Sequence, residues 1–171
     1  YQRDVDIPPQ WNKRRVILSF ERCHWEPRVW IDSIEAGLRN SLAVAHEYDL
    51  NPWLTPGRHT ISVCVDNRIK DIDIGRNAHS ITDHTQTNWN GIIGRMELRA
   101  GSRVFIEDLQ VIPDVPGRAF IIVARIRNTT GRSQKGTMTF RASGAGRSPG
   151  RVITVERVFP TDTSTVRSRD E

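Results

Sequence analysis

Apolar and polar residues alternate in short runs along this chain, and no long helical periodicity interrupts them. The clearest run is residues 59–65, HTISVCV. In an extended chain Ile61, Val63 and Val65 share one face, and Ser62 and Cys64 the other. Residues 16–20, VILSF, read as a buried strand, and residues 28–32, RVWID, as another with a turn at Asp32-Ser33. Residues 1–10 alternate and end in Pro8-Pro9, which predicts an edge strand running into a turn. Residues 51–54, NPWL, read as a single helical turn. Thr55-Pro56-Gly57 follows as a tight turn, with Pro setting φ and Gly taking the open position. Residues 92–98, IIGRMEL, read as a further strand.

A break at Arg99-Ala100-Gly101-Ser102 precedes a second β series. Strands are predicted over 104–112, 118–127, 136–141 and 151–159, with a hairpin turn at Asn128-Thr129-Thr130-Gly131. Four strands are fewer than the roughly seven of an immunoglobulin-like sandwich. The second domain is therefore expected to be partial, or completed by something outside this chain. The expected organisation is all-β. One sandwich occupies 1–100, a partial second sandwich 102–160, and a frayed polar tail 161–171. Residues 66–90 lack clear periodicity and are rich in Asp, Asn, His and Thr. A loop of that length in a compact domain is usually functional or disordered. Trp89, Ile74 and Ile81 argue for order.

Composition narrows the classes. The 171 residues suffice for one large domain or one and a half small ones. A hydrophobic share of 37% points to a thin, β-rich core. There is no apolar run long enough for a membrane-spanning helix. The first residue is Tyr1 rather than Met, as expected of a processed product or an excised piece. Net charge is +5, from 25 Lys and Arg against 20 Asp and Glu. The arginines are scattered between strands, apart from Lys13-Arg14-Arg15, so no nucleic-acid partner is expected. Cys23 and Cys64 both lie in apolar stretches. They read as buried free thiols, with a disulfide open if their strands pair.

Of the five histidines, only His79 and His84 lie close to an acidic residue, Asp83, in a dense cluster. A second ligand pair is missing, so no metal is expected, and no cofactor either. The loop around Asp71 and Asp73 has no recognisable calcium-binding form. Trp30 is expected in the core, with Pro27 breaking the strand before it. Trp11 and Trp53 read as edge and core plugs. Trp25, beside His24 and Glu26, reads more readily as interface packing than as a sugar platform.

Five ordered motifs in residues 1–100 resemble the sugar-binding jelly-roll domain of glycoside hydrolase family 2. They are Tyr1-Gln2-Arg3 with Ile7-Pro8 and Trp11; the strand from Arg15 to Glu21; Val29-Trp30-Ile31-Asp32 with Gly37; Tyr48-Asp49-Leu50 through Leu54, Pro56-Gly57 and residues 63–67; and Gly91-Ile92. From about residue 102 the chain is similar to the start of that family's immunoglobulin-like domain. Three features depart from the family pattern. Ser33 stands where a turn glycine is usual, Asn40-Ser41-Leu42-Ala43 replaces a Gly-Gly-Tyr region, and the opening strands before Tyr1 are absent.

The resemblance implies a parent that is a retaining β-glycosidase of the β-galactosidase, β-glucuronidase or β-mannosidase kind. Its two catalytic glutamates would sit on a (β/α)₈ barrel of some 200 residues or more. That barrel is not here. Glu21, Glu26, Glu35, Glu47, Glu97, Glu107 and Glu156 are scattered, so this chain alone is expected to hydrolyse nothing. The partners implied are a carbohydrate substrate and the barrel, and the location periplasmic or secreted, with no membrane partner. By position in the family, the loop before the closing strand is the candidate sugar contact, with Asp83, His84, Asn88, Trp89 and Asn90. Asp and Asn suit hydroxyls, and Trp suits the apolar face of a pyranose ring. The alternative is that Trp89 packs an interface and Asp83 caps a turn. Asn40 and Ser41 are further candidates. A stand-alone carbohydrate-binding module and a basic β-sandwich adaptor for protein or nucleic acid are the competing functions.

Overall fold

Strand formation follows the alternation closely. In the computed structural model, residues 1–69, 75, 77–79, 82, 84, 89–141 and 152–170 are described. The chain divides into two compact units, Tyr1–Gly101 and Ser102–Glu171. The first holds β1 (Gln2–Ile7), β2 (Arg15–His24), β3 (Glu26–Ile31), β4 (Ile34–Leu38), β5 (His46–Asp49), β6 (Gly57–Asp66) and β7 (Gly91–Gly101). They form two antiparallel sheets, ordered β1-β6-β3-β4 and β5-β2-β7. Val16, Leu18 and Phe20 of β2 meet Val29 and Ile31 of β3 and Ile61 and Val63 of β6 in one core, with Tyr48 and Leu50. Each such side chain contributes about 1.5–3 kcal/mol on burial. Trp11 and Trp53 pack against this core from its margins.

Tyr48 shows how the core handles a polar tip. Its hydroxyl donates to the Pro27 carbonyl at 2.7 Å, its ring meets Phe20 edge-on at 5.9 Å, and burial pushes its pKa up. Pro27 therefore does not break the strand as expected. It sits inside β3, paired with Val65, its carbonyl taken up also by the Arg39 N–H. Trp30 is a second correction. It is half-buried on the opposite face of β3, because alternation turns Pro27, Val29 and Ile31 to the buried side.

The β3–β4 link is a two-residue turn, with Asp32 and Ser33 both at positive φ, 49° and 73°. A turn of this hand matches the strand twist and favours Gly or Asn. Ser33 is tolerated because Asp32 anchors the turn. Its carboxylate accepts the Thr60 N–H at 2.8 Å and lies 2.5 Å from His59 Nδ1. Those contacts, the Thr60 amide first, hold the Asp32 carboxyl below its usual range.

The second unit holds β8 (Val104–Asp114), β9 (Ala119–Asn128), β10 (Gln134–Arg141), β11 (Val152–Phe159) and β12 (Asp162–Asp170). One sheet runs β12-β9-β8 and the other β10-β11. Ala124, Ile126, Met138, Phe159 and Val166 make its core. Two expectations need correcting here. Residues 162–170 do not fray but pair along β9, since Val166 is an apolar residue that this packing buries. Residues 128–131 do not close a hairpin, because β9 and β10 lie in different sheets. The link between them is held by Asn128, which is buried. The two hydrogens of its Nδ2 serve the carbonyls of Arg132, Phe159 and Pro160 at 2.9–3.0 Å, while its Oδ1 accepts from Thr130 N–H and Oγ1. One amide thus ties both sheets to the turn between β11 and β12.

Replacing Asn128 by Ala strands buried carbonyls, so Asn128→Ala should destabilise the second unit by about 2–4 kcal/mol in urea unfolding. An unchanged midpoint would remove the amide from that role. For Asp32, a folded pKa held below the unfolded value gives stability that is present above the ordinary carboxylate range and lost as pH falls through the folded value. Asp32→Asn should therefore flatten the acid limb of Tm against pH. Identical acid limbs in wild type and variant would contradict this.

Candidate functional site

The loop that feeds β7 is anchored where β2 hands over to β3. β2 ends at His24 in one sheet, and β3 begins at Glu26 in the other. The crossing leaves only Trp25 between them. Three segments converge on this junction. Trp89 lays its ring against His24 at 5.0 Å between centroids and 38° between planes, and Trp25 meets His24 edge-on at 5.3 Å. The Trp25 carbonyl accepts the Ser41 N–H at 3.3 Å, and the Glu26 carboxylate accepts from Asn40 Nδ2 at 3.4 Å. The junction thus carries a buried imidazole, two half-buried indoles and a side-chain amide.

Beyond Trp89, the Asn90 side-chain carbonyl accepts from Asn67 Nδ2, which joins the loop to the end of β6. Gly91 then enters β7 at φ 87°, and a Cβ there would drive into the Tyr1 hydroxyl. Tyr1 is placed by the β1–β6 ladder, since it exchanges backbone hydrogen bonds with Val63 at 2.8 Å in both directions. A hollow of about 540 Å³ results, lined by Tyr1, His24, Val63, Cys64, Val65, Asn67, Asn90 and Gly91. On either side of Asn67 in sequence, Arg68 grips the Asp66 carboxylate through Nε and a terminal nitrogen, which raises the Arg68 pKa further. The hollow offers amide and phenol groups for hydroxyls beside aromatic faces, the combination that suits a sugar.

Trp89 and Asn90, named from the sequence, belong to this cluster, and Asn40 and Ser41 are fastened to the same junction. Trp89 packs its ring on His24 and is half-buried. His84 is exposed. Asp83 and Asn88 lie outside the described residues, as does most of 66–90. Sequence reasoning missed Tyr1, His24 and Asn67 as members. Asn67 had a signal, since it directly follows the alternating run that forms β6.

The cysteines do not pair. Cys23 is buried in β2, where burial lifts its thiol to about 11, whereas Cys64 is exposed in β6 in the other sheet. The expectation of two buried thiols fails for Cys64 because its neighbours Val63 and Val65 take the core face. Among the described residues, no group of three or more His, Cys, Asp or Glu could hold a metal ion. Surface arginines are engaged locally, as in Arg58 with Asp4, Arg28 with Glu35 and Arg125 with Glu107.

No protein-family model matches the chain. The large subunit of a β-galactosidase from Latilactobacillus sakei is 29% identical over 114 residues, 67% of this chain and 17% of that protein. A β-glucuronidase from Bacteroides uniformis superposes on 99% of this chain and 21% of its own, with TM-score 0.74 and 14% identity. A β-glucuronidase from glycoside hydrolase family 2 covers 98% of this chain and 19% of its own, with TM-score 0.76 and 15% identity. The chain therefore has the fold of one segment of these enzymes, and it spans about a fifth of their length.

Gly91→Ala combines a strained φ with a clash against Tyr1, and should cost the first unit about 1–3 kcal/mol. Thermal melting with the intrinsic Trp fluorescence of the junction as probe would show it. A variant that melts like wild type would mean the Tyr1–Gly91 contact is not what closes the hollow.

Proposed function

We infer that this chain is a non-catalytic portion of a family 2 glycoside hydrolase, a β-galactosidase- or β-glucuronidase-like enzyme whose catalytic barrel lies in the rest of the polypeptide. The observation that carries this reading is the fold match across both units, over 98–99% of the chain but only about a fifth of each enzyme. The identity to a β-galactosidase subunit over 114 residues points the same way. The first unit lends one wall of the carbohydrate pocket, through Trp89 and the Asn67–Asn90 amides, with Asn40 on the neighbouring connection. The second unit supports the barrel. Substrate is a β-glycoside, and the enzyme works in the periplasm or outside the cell.

A carbohydrate-binding role independent of the barrel is the second reading. It is favoured by one feature: all the side chains of the hollow come from Tyr1–Gly101. A sugar-binding surface needs shape and hydrogen bonds but no carboxylate pair, so such a unit could bind without cleaving.

The whole parent polypeptide assayed on aryl β-galactosides and β-glucuronides tests the proposal. The parent should hydrolyse at least one of them, and residues 1–171 alone neither. In the parent, Trp89→Ala should raise KM about tenfold while kcat changes less, the pattern of a lost binding contact. A parent with no β-glycosidase activity would end the reading. Millimolar sugar affinity in the isolated chain, abolished by Trp89→Ala, would favour the binding module.

A further inference from the structure

β7 does not run along β2 at a single offset. Val16 to Phe20 pair with Ala100 to Met96, but beyond them Arg22, Cys23 and His24 pair with Ile93, Ile92 and Gly91. Gly94 and Arg95 thus stand opposite Glu21 alone, a β-bulge with one extra residue on β7. Gly94 takes φ 75°, a conformation that suits glycine. The Glu21 carboxylate lies close against it, since a Cβ at Gly94 would stand 2.9 Å from Glu21 Oε2. That oxygen accepts the Arg95 N–H at 2.9 Å, an amide inside the interruption of the ladder. The bulge decides which residues reach the hollow. At the offset of Phe20 and Met96, His24 would face Ile92 instead of Gly91. Trp89 and Asn90 would then be carried along by one residue, about 3.4 Å, and turned to the other face. In the structure Trp89 meets His24 at 5.0 Å between centroids, and Asn90 accepts from Asn67 Nδ2. Both contacts require the bulged offset.

We propose that Glu21 is a positioning residue for the carbohydrate wall: by holding the Arg95 amide in the bulge, its carboxylate fixes the offset that sets Trp89 on His24 and Asn90 on Asn67. The proposal rests on the reading of this hollow as part of a sugar pocket. Glu21 is not among the residues that line the hollow, and it acts through β7. The other ties on the loop, Asn67 to Asn90 and Tyr1 against Gly91, lie beyond the bulge. They hold the loop once its residues are in place, whereas Glu21 acts where the offset is set. The bulge requires an oxygen acceptor at residue 21, at the end of a stem of this length. Gln carries that acceptor on the same stem, and Leu does not.

The test compares Glu21→Leu with Glu21→Gln. In residues 1–171, NMR follows amide exchange at Arg95, with Val29 of β3 and Ile61 of β6 as controls, and nuclear Overhauser contacts between the His24 and Trp89 rings. Glu21→Leu should speed exchange at Arg95 by about tenfold and abolish the ring contact, with both controls unchanged. Glu21→Gln should match wild type in each. In the parent polypeptide, Glu21→Leu should raise KM for the aryl β-glycoside about tenfold with kcat within about twofold, and Glu21→Gln should restore KM. An intact ring contact in Glu21→Leu would overturn the proposal, because Glu21 would then only cap an amide. Damage in Glu21→Gln equal to that in Glu21→Leu would overturn it as well, since the acceptor would not be what matters. So would loss of protection at Val29 and Ile61, which would make Glu21 a general stabiliser. Activity is scored separately. A parent that is active, sensitive to Trp89→Ala and indifferent to Glu21→Leu defeats this proposal alone. A parent without β-glycosidase activity, in which Glu21→Leu still breaks the ring contact of residues 1–171, defeats the glycosidase reading alone.

Discussion

The passage of the chain from one sheet to the other at Trp25 is the constraint on which the first unit depends. β2 carries Val16, Leu18 and Phe20 into the core, and only one residue later β3 brings Val29 and Ile31 to the same core from the opposite layer. So short a crossing brings the two layers together at one end and leaves little room for a polar loop. The junction is closed by rings instead: His24 between Trp25 and Trp89. The backbone and side chain of the next residues then pick up Ser41 and Asn40.

That arrangement ties stability to the candidate site. Trp89 shields His24 and leaves part of its ring in solvent. Asn90 fixes the loop to Asn67 rather than reaching freely into the hollow. Groups held in this way lose little freedom when a ligand arrives. Among the described residues that line the hollow there is no pair of carboxylates.

The second unit depends on a different device. Its two sheets differ in width, and a single buried amide, Asn128, holds the crossing between them. Among the described residues its core cluster is small, five buried residues with Val104, Phe140 and Val155 against them, and Ile106, Leu109 and Val111 of β8 are exposed. A unit of this kind gains stability from whatever covers those side chains. The first unit has its own larger core.

Alternation in the sequence determined the all-β character, the runs of β2, β6 and β7, the turn at Asp32-Ser33 and the break near Gly101. Each depends on contacts within a few residues, where side-chain period and turn residues act directly. Trp89, Asn90 and Asn40 were singled out by residue type and motif order. Tertiary structure decided the rest. Trp30 faces outward and Pro27 sits within a paired strand because of which face the neighbouring strands cover. Residues 162–170 form β12 because β9 offers an edge and a place for Val166. His24, Asn67 and Tyr1 join Trp89 and Asn90 only when β1, β2 and β6 bring them to one end of the sandwich. That meeting depends on sheet order, which is set by long-range pairing that no local pattern encodes.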